Sequence, residues 1–287
     1  MSSIIHIIAG PTASGKSARA IELAQAENGV IINCDSIQLY DGLPILTAKP
    51  SEEDKGQAPH KLYGTLHPND ICSAGHWCEI VKPLIEETLA AGQNPIITGG
   101  TGLYIKALMQ GLSPIPDIPD DIKQAAIEKQ KQLGNPAFHE ELQKHDPVMA
   151  ERLHPSNTAR LVRAWEVLEA TEKSLAEWQE LDRLAPPEDW NFDLEIISPA
   201  REELYRRCND RFIQMLEIGA LEEVEDFSKK LDGAEVDSHV PLVKALGFNH
   251  LREYQRGNMS KEDAITLSQG ETRRYAKRQV TWFRNQL

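Results

Sequence analysis

Short apolar runs bounded by glycine alternate with stretches of helical period along the amino-terminal part of the chain. Ile4-Ile5-His6-Ile7-Ile8 has the length and composition of a buried strand, and Ala18 to Ala26, rich in Ala, Leu and Glu, predicts a helix stopped at Asn28-Gly29. Val30-Ile31-Ile32 predicts a second strand, ending in Asn33-Cys34-Asp35-Ser36. Residues 41 to 75, with many Pro, Gly, His and Asp, are expected to form a long irregular connection. Ala74 to Ala91 carries the apolar stripe Trp77, Ile80, Val81, Leu84, Ile85 and Leu89 of a helix. Pro95-Ile96-Ile97-Thr98 then predicts a third strand, which opens into the loop Gly99-Gly100-Thr101-Gly102-Leu103-Tyr104. After the proline-punctuated stretch Ser113 to Asp121, Ile122 to Leu184 is helical in pattern. Its breaks fall at Gly134-Asn135-Pro136, Pro147 and His154-Pro155-Ser156, and Ala185-Pro186-Pro187 closes it. Asp193 to Ile197 predicts a further strand, and Arg201 to Leu231 one further helix. The alternation implies an α/β fold with a parallel sheet, interrupted by an all-helical insert. The expected parts are 1–113, 114–190 and 191–287.

The first strand runs directly into Gly10-Pro11-Thr12-Ala13-Ser14-Gly15-Lys16-Ser17, and a helix follows. G-x-x-x-x-G-K-S between a strand and a helix is the phosphate-cradling P-loop, so the core is expected to be P-loop NTPase-like and nucleotide-binding, for ATP or another di- or triphosphate. Glycines let several backbone N–H groups converge on one phosphate, backed by the positive end of the following helix. Lys16 supplies a mobile charge, and the Ser17 hydroxyl is placed to hold Mg2+. Ligands of parallel sheets sit beyond the carboxyl ends of the strands, which puts Asp35 on the phosphate side near Lys16. No apolar run ends in an acid that reads as a second nucleotide-binding motif, unless Asp35 fills that place.

Bulk composition narrows the class. With 287 residues, 40% hydrophobic and 26% charged, the chain is an ordinary globular protein. It begins Met1-Ser2-Ser3 with no basic leader and has no apolar stretch near membrane-spanning length, so a cytoplasmic protein without membrane contact is expected. Cys34, Cys72, Cys78 and Cys208 fit neither a metal motif nor a disulfide framework, and His60, His67 and His76 near two of them match no standard zinc spacing. A net charge of −13 argues globally against a nucleic-acid partner, yet the charge is unevenly spread. Thr272 to Leu287 holds Arg273, Arg274, Lys277, Arg278 and Arg284 and no acid. Arg201, Arg206, Arg207 and Arg211 form a second basic group, diluted by acids, and Arg160 with Arg163 a third.

The P-loop by itself leaves open a small-molecule kinase, a nucleotide hydrolase and an enzyme with a diphosphate leaving group. Taken together, Gly10 to Ser17, Asp35-Ser36-Ile37-Gln38-Leu39-Tyr40, Gly99 to Tyr104, Asn157 to Val167 and Thr272 to Phe283 resemble the bacterial tRNA dimethylallyltransferases, the IPP transferase family. The resemblance covers essentially the whole chain in order. It departs from the usual pattern at Ser17, where many members have Thr, and at Lys244-Ala245-Leu246-Gly247-Phe248, where an Arg with a Gly-Tyr pair is more usual.

The resemblance implies transfer of a dimethylallyl group from dimethylallyl diphosphate to N6 of the adenosine just 3′ of the anticodon, position 37, in tRNAs that read codons beginning with U. It implies catalytic roles for Asp35, Thr101, Lys16 and Arg211, with Asp35 as base, and donor binding by Gly10, Pro11, Thr12, Ala13, Ser14, Gly15, Lys16 and Ser17. The implied contacts to the anticodon stem-loop are Asp35, Ser36, Ile37, Gln38, Thr101, Lys123, Ala159, Arg160, Leu161, Val162, Arg163 and Lys244. Arg273, Arg274, Lys277 and Arg278 are expected backbone contacts, and the protein is expected to act as a monomer. Prenylation of free adenine nucleotides, a metabolite kinase and a non-catalytic RNA-binding switch are the alternatives.

Overall fold

The computed structural model describes Ser3–Leu287; Met1 and Ser2, where the absence of a leader was expected, lie outside the described residues. Contacts divide the chain into two units, one made of 1–109 and 187–287, the other of 110–186.

The first unit is built on five parallel strands in the order β3-β2-β4-β1-β5. They are β1 (Ser3–Ala9), β2 (Gly29–Asn33), β3 (His60–Lys61), β4 (Asn94–Gly99) and β5 (Trp190–Ile196). The apolar runs seen in sequence are buried because the middle strands are covered on both faces: Ile5, Ile7, Ile8, Val30, Ile31, Ile32, Ile96 and Ile97 all lie in the core. α1 (Lys16–Ala26) and α3 (Ala74–Ala90) supply part of that cover, α3 through Trp77, Val81 and Ile85. In register, Ala9 lies beside Gly99, and Asn33 beside Thr98. The carboxyl ends of β1, β4 and β2 therefore release their loops side by side, which is what brings distant motifs into one place.

Three stretches differ from the sequence expectation. The stretch read as an irregular connection holds α2 (Glu52–Gln57), started by a capping box between Ser51 and Asp54, and the two-residue β3. The glycine-rich loop after β4 is only two residues long, Gly100 and Thr101, before α4 (Gly102–Gln110) begins. The expected single helix from Arg201 is two, α9 (Arg201–Glu217) and α10 (Ala220–Asp232), because Gly219 takes φ +108° between them. A 3-10 turn at Pro241–Lys244, α11 (Phe248–Gln255) and the long α12 (Lys261–Gln286) complete the unit.

The second unit is helical: α5 (Asp120–His145), α6 (Pro147–Arg152), α7 (Thr158–Thr171) and α8 (Leu175–Glu180). Phe138, Leu142, Leu161, Trp165 and Val167 form its core, and Gly134 at φ +71° kinks α5 where the Gly-Asn-Pro break was expected. Its two ends are tied by a bridge between Leu112 and Leu184, so the unit is bounded at 110 and 186 rather than 114 and 190. Among the described residues no helix is long and apolar enough to cross a membrane.

Candidate active site

The loop between β1 and α1 has the geometry of an anion cradle. Gly15 stands at φ +98° as the residue before α1, and no side chain caps that helix, so its first-turn amides remain for a ligand. Ala13 is at φ +62°, a left-handed conformation that costs a non-glycine residue about 1–2 kcal/mol. The loop tolerates it because Ala13 packs into a small apolar cluster with Leu204 and Cys208 of α9 and Ala276 and Val280 of α12. Ser14 is buried, and its hydroxyl has no hydrogen-bond partner. An open cleft of ≈ 410 Å³ is lined by this loop together with Arg207 and Arg211.

Lys16 projects from the first turn of α1 and donates to the Pro11 carbonyl at 3.2 Å. Burial pulls its pKa down to about 8, opposed by the negative charge of Asp35 and reinforced by the positive charge of Arg211. Arg211 donates to the Thr12 hydroxyl. Burial lowers its pKa as well, and Asp35 again opposes the shift. The acid expected near the phosphate side thus lies close enough to both cations for its charge to act on them. Asp35 charge also acts on Tyr63 and Tyr275, whose hydroxyls burial holds well above the usual tyrosine range.

The turn that carries Asp35 is fixed by its neighbours. Asn33, fully buried, accepts from the Asp35 N–H at 2.9 Å and donates to the Asp35 carbonyl at 3.0 Å. Asp35 Oδ1 accepts from the Ile37 N–H at 3.0 Å, and Oδ2 accepts no bond among the described residues. Thr101, on the adjacent loop after β4, accepts from the Ser36 N–H at 2.9 Å and donates to the Ser36 hydroxyl at 3.3 Å. Gln38 spends both amide hydrogens on the Thr47 and Ala48 carbonyls, at 2.8 Å each. One oxygen of the carboxylate is held and the other is free.

The remaining sequence-derived residues are spread more widely. Arg274, Lys277 and Arg278 are exposed on α12 and line a groove of ≈ 500 Å³ with Thr281 and Trp282. Arg273 instead turns inward and donates to Asn209 at 2.5 Å. Lys244 is exposed on the 3-10 turn. Within the helical unit Ala159 and Arg160 are exposed, Arg163 faces Glu166 at 3.4 Å, and Lys123 pairs with Asp120 at 2.8 Å. Leu161 and Val162, expected as contacts, are core residues of that unit, because the apolar stripe of α7 falls on them. The basic group on α9 is largely neutralised, with Glu203 binding Arg206 at 2.8 Å and Arg207 at 2.6 Å. All four cysteines are free, and among the described residues no group of three or more His, Cys, Asp or Glu is placed to hold a metal.

Two residues of this site had no assigned role in the sequence. Arg207 reaches the Ser14 carbonyl at 3.3 Å. Its spacing of one helical turn from Arg211 was the available signal. Gln279 accepts from the Thr12 N–H at 2.8 Å and donates to the Gly100 carbonyl at 2.9 Å. Nothing in the local sequence around it indicates that bridge.

Comparison with known proteins shows the family of the chain. Residues 38–286 match the family model for IPP transferase. The chain is 47% identical over 281 residues to the tRNA dimethylallyltransferase of Paramagnetospirillum magneticum, covering 98% of this chain and 88% of that protein. It is 45% identical over 283 residues to that of Rhodospirillum centenum, covering 99% and 89%. Among solved structures, the tRNA isopentenylpyrophosphate transferase of Bacillus halodurans superposes with a TM-score of 0.68 at 33% identity, over 100% of this chain and 88% of that one. A eukaryotic dimethylallyltransferase described as acting on tRNA gives a TM-score of 0.84 at 27% identity, over 98% of this chain and 70% of that one. With its phosphate loop, its facing carboxylate and this agreement along its length, the chain belongs to the IPP transferase family.

Proposed function

We propose that this protein transfers the dimethylallyl group of dimethylallyl diphosphate to N6 of adenosine 37 in tRNAs reading codons that begin with U, releasing diphosphate. The observation that carries the reading is that Lys16 and Arg211, two cations for a leaving diphosphate, line one cleft with the phosphate loop, and that Asp35, a carboxylate with one unengaged oxygen, lies near enough for its charge to act on both. The donor's diphosphate lies against the amides of Ala13 to Ser17, with the unpartnered Ser14 hydroxyl supplying a further donor. As the allylic C–O bond breaks, its electron pair leaves on the diphosphate oxygen, and Lys16 and Arg211 neutralise the developing charge.

The adenine N6 lone pair is delocalised into the ring and is a weak nucleophile. It forms the C–N bond while Asp35 Oδ2 takes the N6 proton, so no cationic amine accumulates. Thr101 serves by holding Ser36, and with it the turn that aims Asp35, a narrower role than contact with the reacting atoms. The Ser17 hydroxyl, exposed at the mouth of the cleft and free of hydrogen bonds among the described residues, would hold a Mg2+ beside the diphosphate. When bound, Mg2+ adds charge neutralisation on the leaving group.

The target base must be splayed out of the anticodon loop to reach a half-buried carboxylate. Arg274, Lys277 and Arg278 bind the RNA backbone, as do Lys244, Arg160, Arg163 and Lys123 on their respective units. The protein acts as a monomer in the cytoplasm. The test is incubation with radiolabelled dimethylallyl diphosphate and either bulk tRNA or AMP. Label in tRNA is expected; label in AMP alone would favour an enzyme of free nucleotides, and ATP-dependent phosphorylation of an acceptor would favour a kinase.

A further inference from the structure

Gln279 is 6% exposed, and its carboxamide spans the two loops that the site is made of. Its oxygen accepts from Thr12 N–H of the phosphate loop, and its nitrogen donates to Gly100 O of the turn after β4, at 2.8 and 2.9 Å. Only one orientation of the amide satisfies both partners, since a flip would set donor against donor and oxygen against oxygen. The surroundings leave it no slack: a Cβ on Gly100 would run into Gln279 Nε2, and three residues further along α12 the Trp282 ring fills the space where a Cβ on Gly102 would go.

Each end of the bridge leads to reacting groups. Thr12 is held by Gln279 at its backbone N–H and by Arg211 at its hydroxyl, so the place of the Arg211 guanidinium depends on where Thr12 sits. Gly100 precedes Thr101, which holds Ser36 and the Asp35 turn. We propose that Gln279 is a positioning residue for the transfer reaction, one carboxamide setting the distance between the leaving-group cations and the base. The inference rests on the transfer activity proposed above. Gln279 touches neither substrate nor reacting atom, and a shift of the base by about 1 Å is enough to cost on the order of 100-fold in rate.

The test compares Gln279→Glu and Gln279→Leu with wild type for kcat, KM for dimethylallyl diphosphate, tRNA affinity and thermal midpoint. Gln279→Glu has the same shape. Ionised, it still accepts from Thr12 N–H but turns an oxygen on Gly100 O, and kcat is expected to fall about tenfold or more while tRNA affinity stays within about twofold. Protonated, its O–H donates to Gly100 O again, so activity relative to wild type should recover as pH falls; burial raises the pKa of the introduced acid and brings that recovery into a measurable range. Gln279→Leu should lose as much and show no recovery. Lys106→Ala, which removes a different α12 bond, from Lys106 Nζ to Gln286 Oε1 at 2.7 Å, should behave as wild type.

A Gln279→Glu enzyme with wild-type kcat and KM, or a ratio to wild type flat in pH, overturns the proposal. So does an equal loss in Lys106→Ala, which would make general docking of α12 the cause. Should wild type fail to label tRNA, the transfer reading fails first. Gln279 is then judged on equilibrium binding of dimethylallyl diphosphate alone, where an unchanged Kd in Gln279→Leu overturns it and a rise of about tenfold sustains it.

Discussion

Replacing Asp35 by Asn separates the base from the scaffold that carries it. The asparagine keeps a side-chain oxygen for the Ile37 N–H, and the two backbone bonds to Asn33 at 2.9 and 3.0 Å do not involve the side chain, so the turn survives. What is lost is the oxygen that takes the proton, and with it a negative charge. A positioned general base contributes about 10²- to 10⁴-fold, equivalent to about 3–5 kcal/mol on the barrier. The missing charge acts on Lys16 too: Asp35 raises the lysine pKa toward its present value of about 8, so the variant's lysine ionises less readily. Measuring on the acid side of neutrality keeps Lys16 charged and isolates the base. The assay is a single-turnover quench with radiolabelled dimethylallyl diphosphate and saturating tRNA, alongside filter binding of tRNA. The rate should fall by about 10²- to 10⁴-fold with tRNA affinity retained. A rate within about tenfold of wild type would refute the role of Asp35 as base.

The other perturbations test other parts of the account. Lys16 has a folded pKa of about 8 against an ordinary 10.5, so between those values the unfolded chain holds a proton that the folded one has shed, and this group's contribution to stability rises with pH through that window. Donor binding requires the ammonium, so the Kd for dimethylallyl diphosphate should begin to rise near pH 8 in wild type and show no such break in Lys16→Arg, read by titration calorimetry. Alanine at Arg274, Lys277 and Arg278 should flatten the dependence of log Kd for tRNA on log salt by about one unit for each phosphate contact removed, while leaving the donor's KM alone. Phe138→Ala empties the fully buried centre of the helical unit and should destabilise that unit by about 3–5 kcal/mol, seen as lost hydrogen-exchange protection in α5 and α7 with β1 and β4 still protected.

Strands β1, β2 and β4 and the helix α1 were legible because each is a largely buried apolar run or an uninterrupted helical period next to a glycine. β3 was not, since two residues carry no period, and its place in the sheet comes from pairing with Ile31 and Ile32. α4 was hidden by its own start, where Gly99, Gly100 and Gly102 read as a loop although the helix begins at Gly102. Gly219 sits inside an otherwise continuous helical pattern and gave no sign that it would adopt a left-handed φ. At the site, the phosphate loop follows from its motif between strand and helix, and the strand-end position of Asp35 from the sheet rule. Leu161 and Val162 show the opposite case, in which a motif's extent was taken over whole although two of its residues belong to the core. Gln279 lies 267 residues from Thr12, and only packing of α12 across the strand ends brings them together.

The central claim is that a diphosphate held by Lys16 and Arg211 and an extruded purine meet at Asp35. The most direct measurement is a structure of the protein with an anticodon stem-loop and an unreactive thio-analogue of dimethylallyl diphosphate. The account predicts the diphosphate against residues 10–17 and the adenine N6 about 2.6–3.2 Å from Asp35 Oδ2, or one water away. An adenine left stacked in the loop, or a diphosphate seated outside the Lys16 pocket, would contradict it.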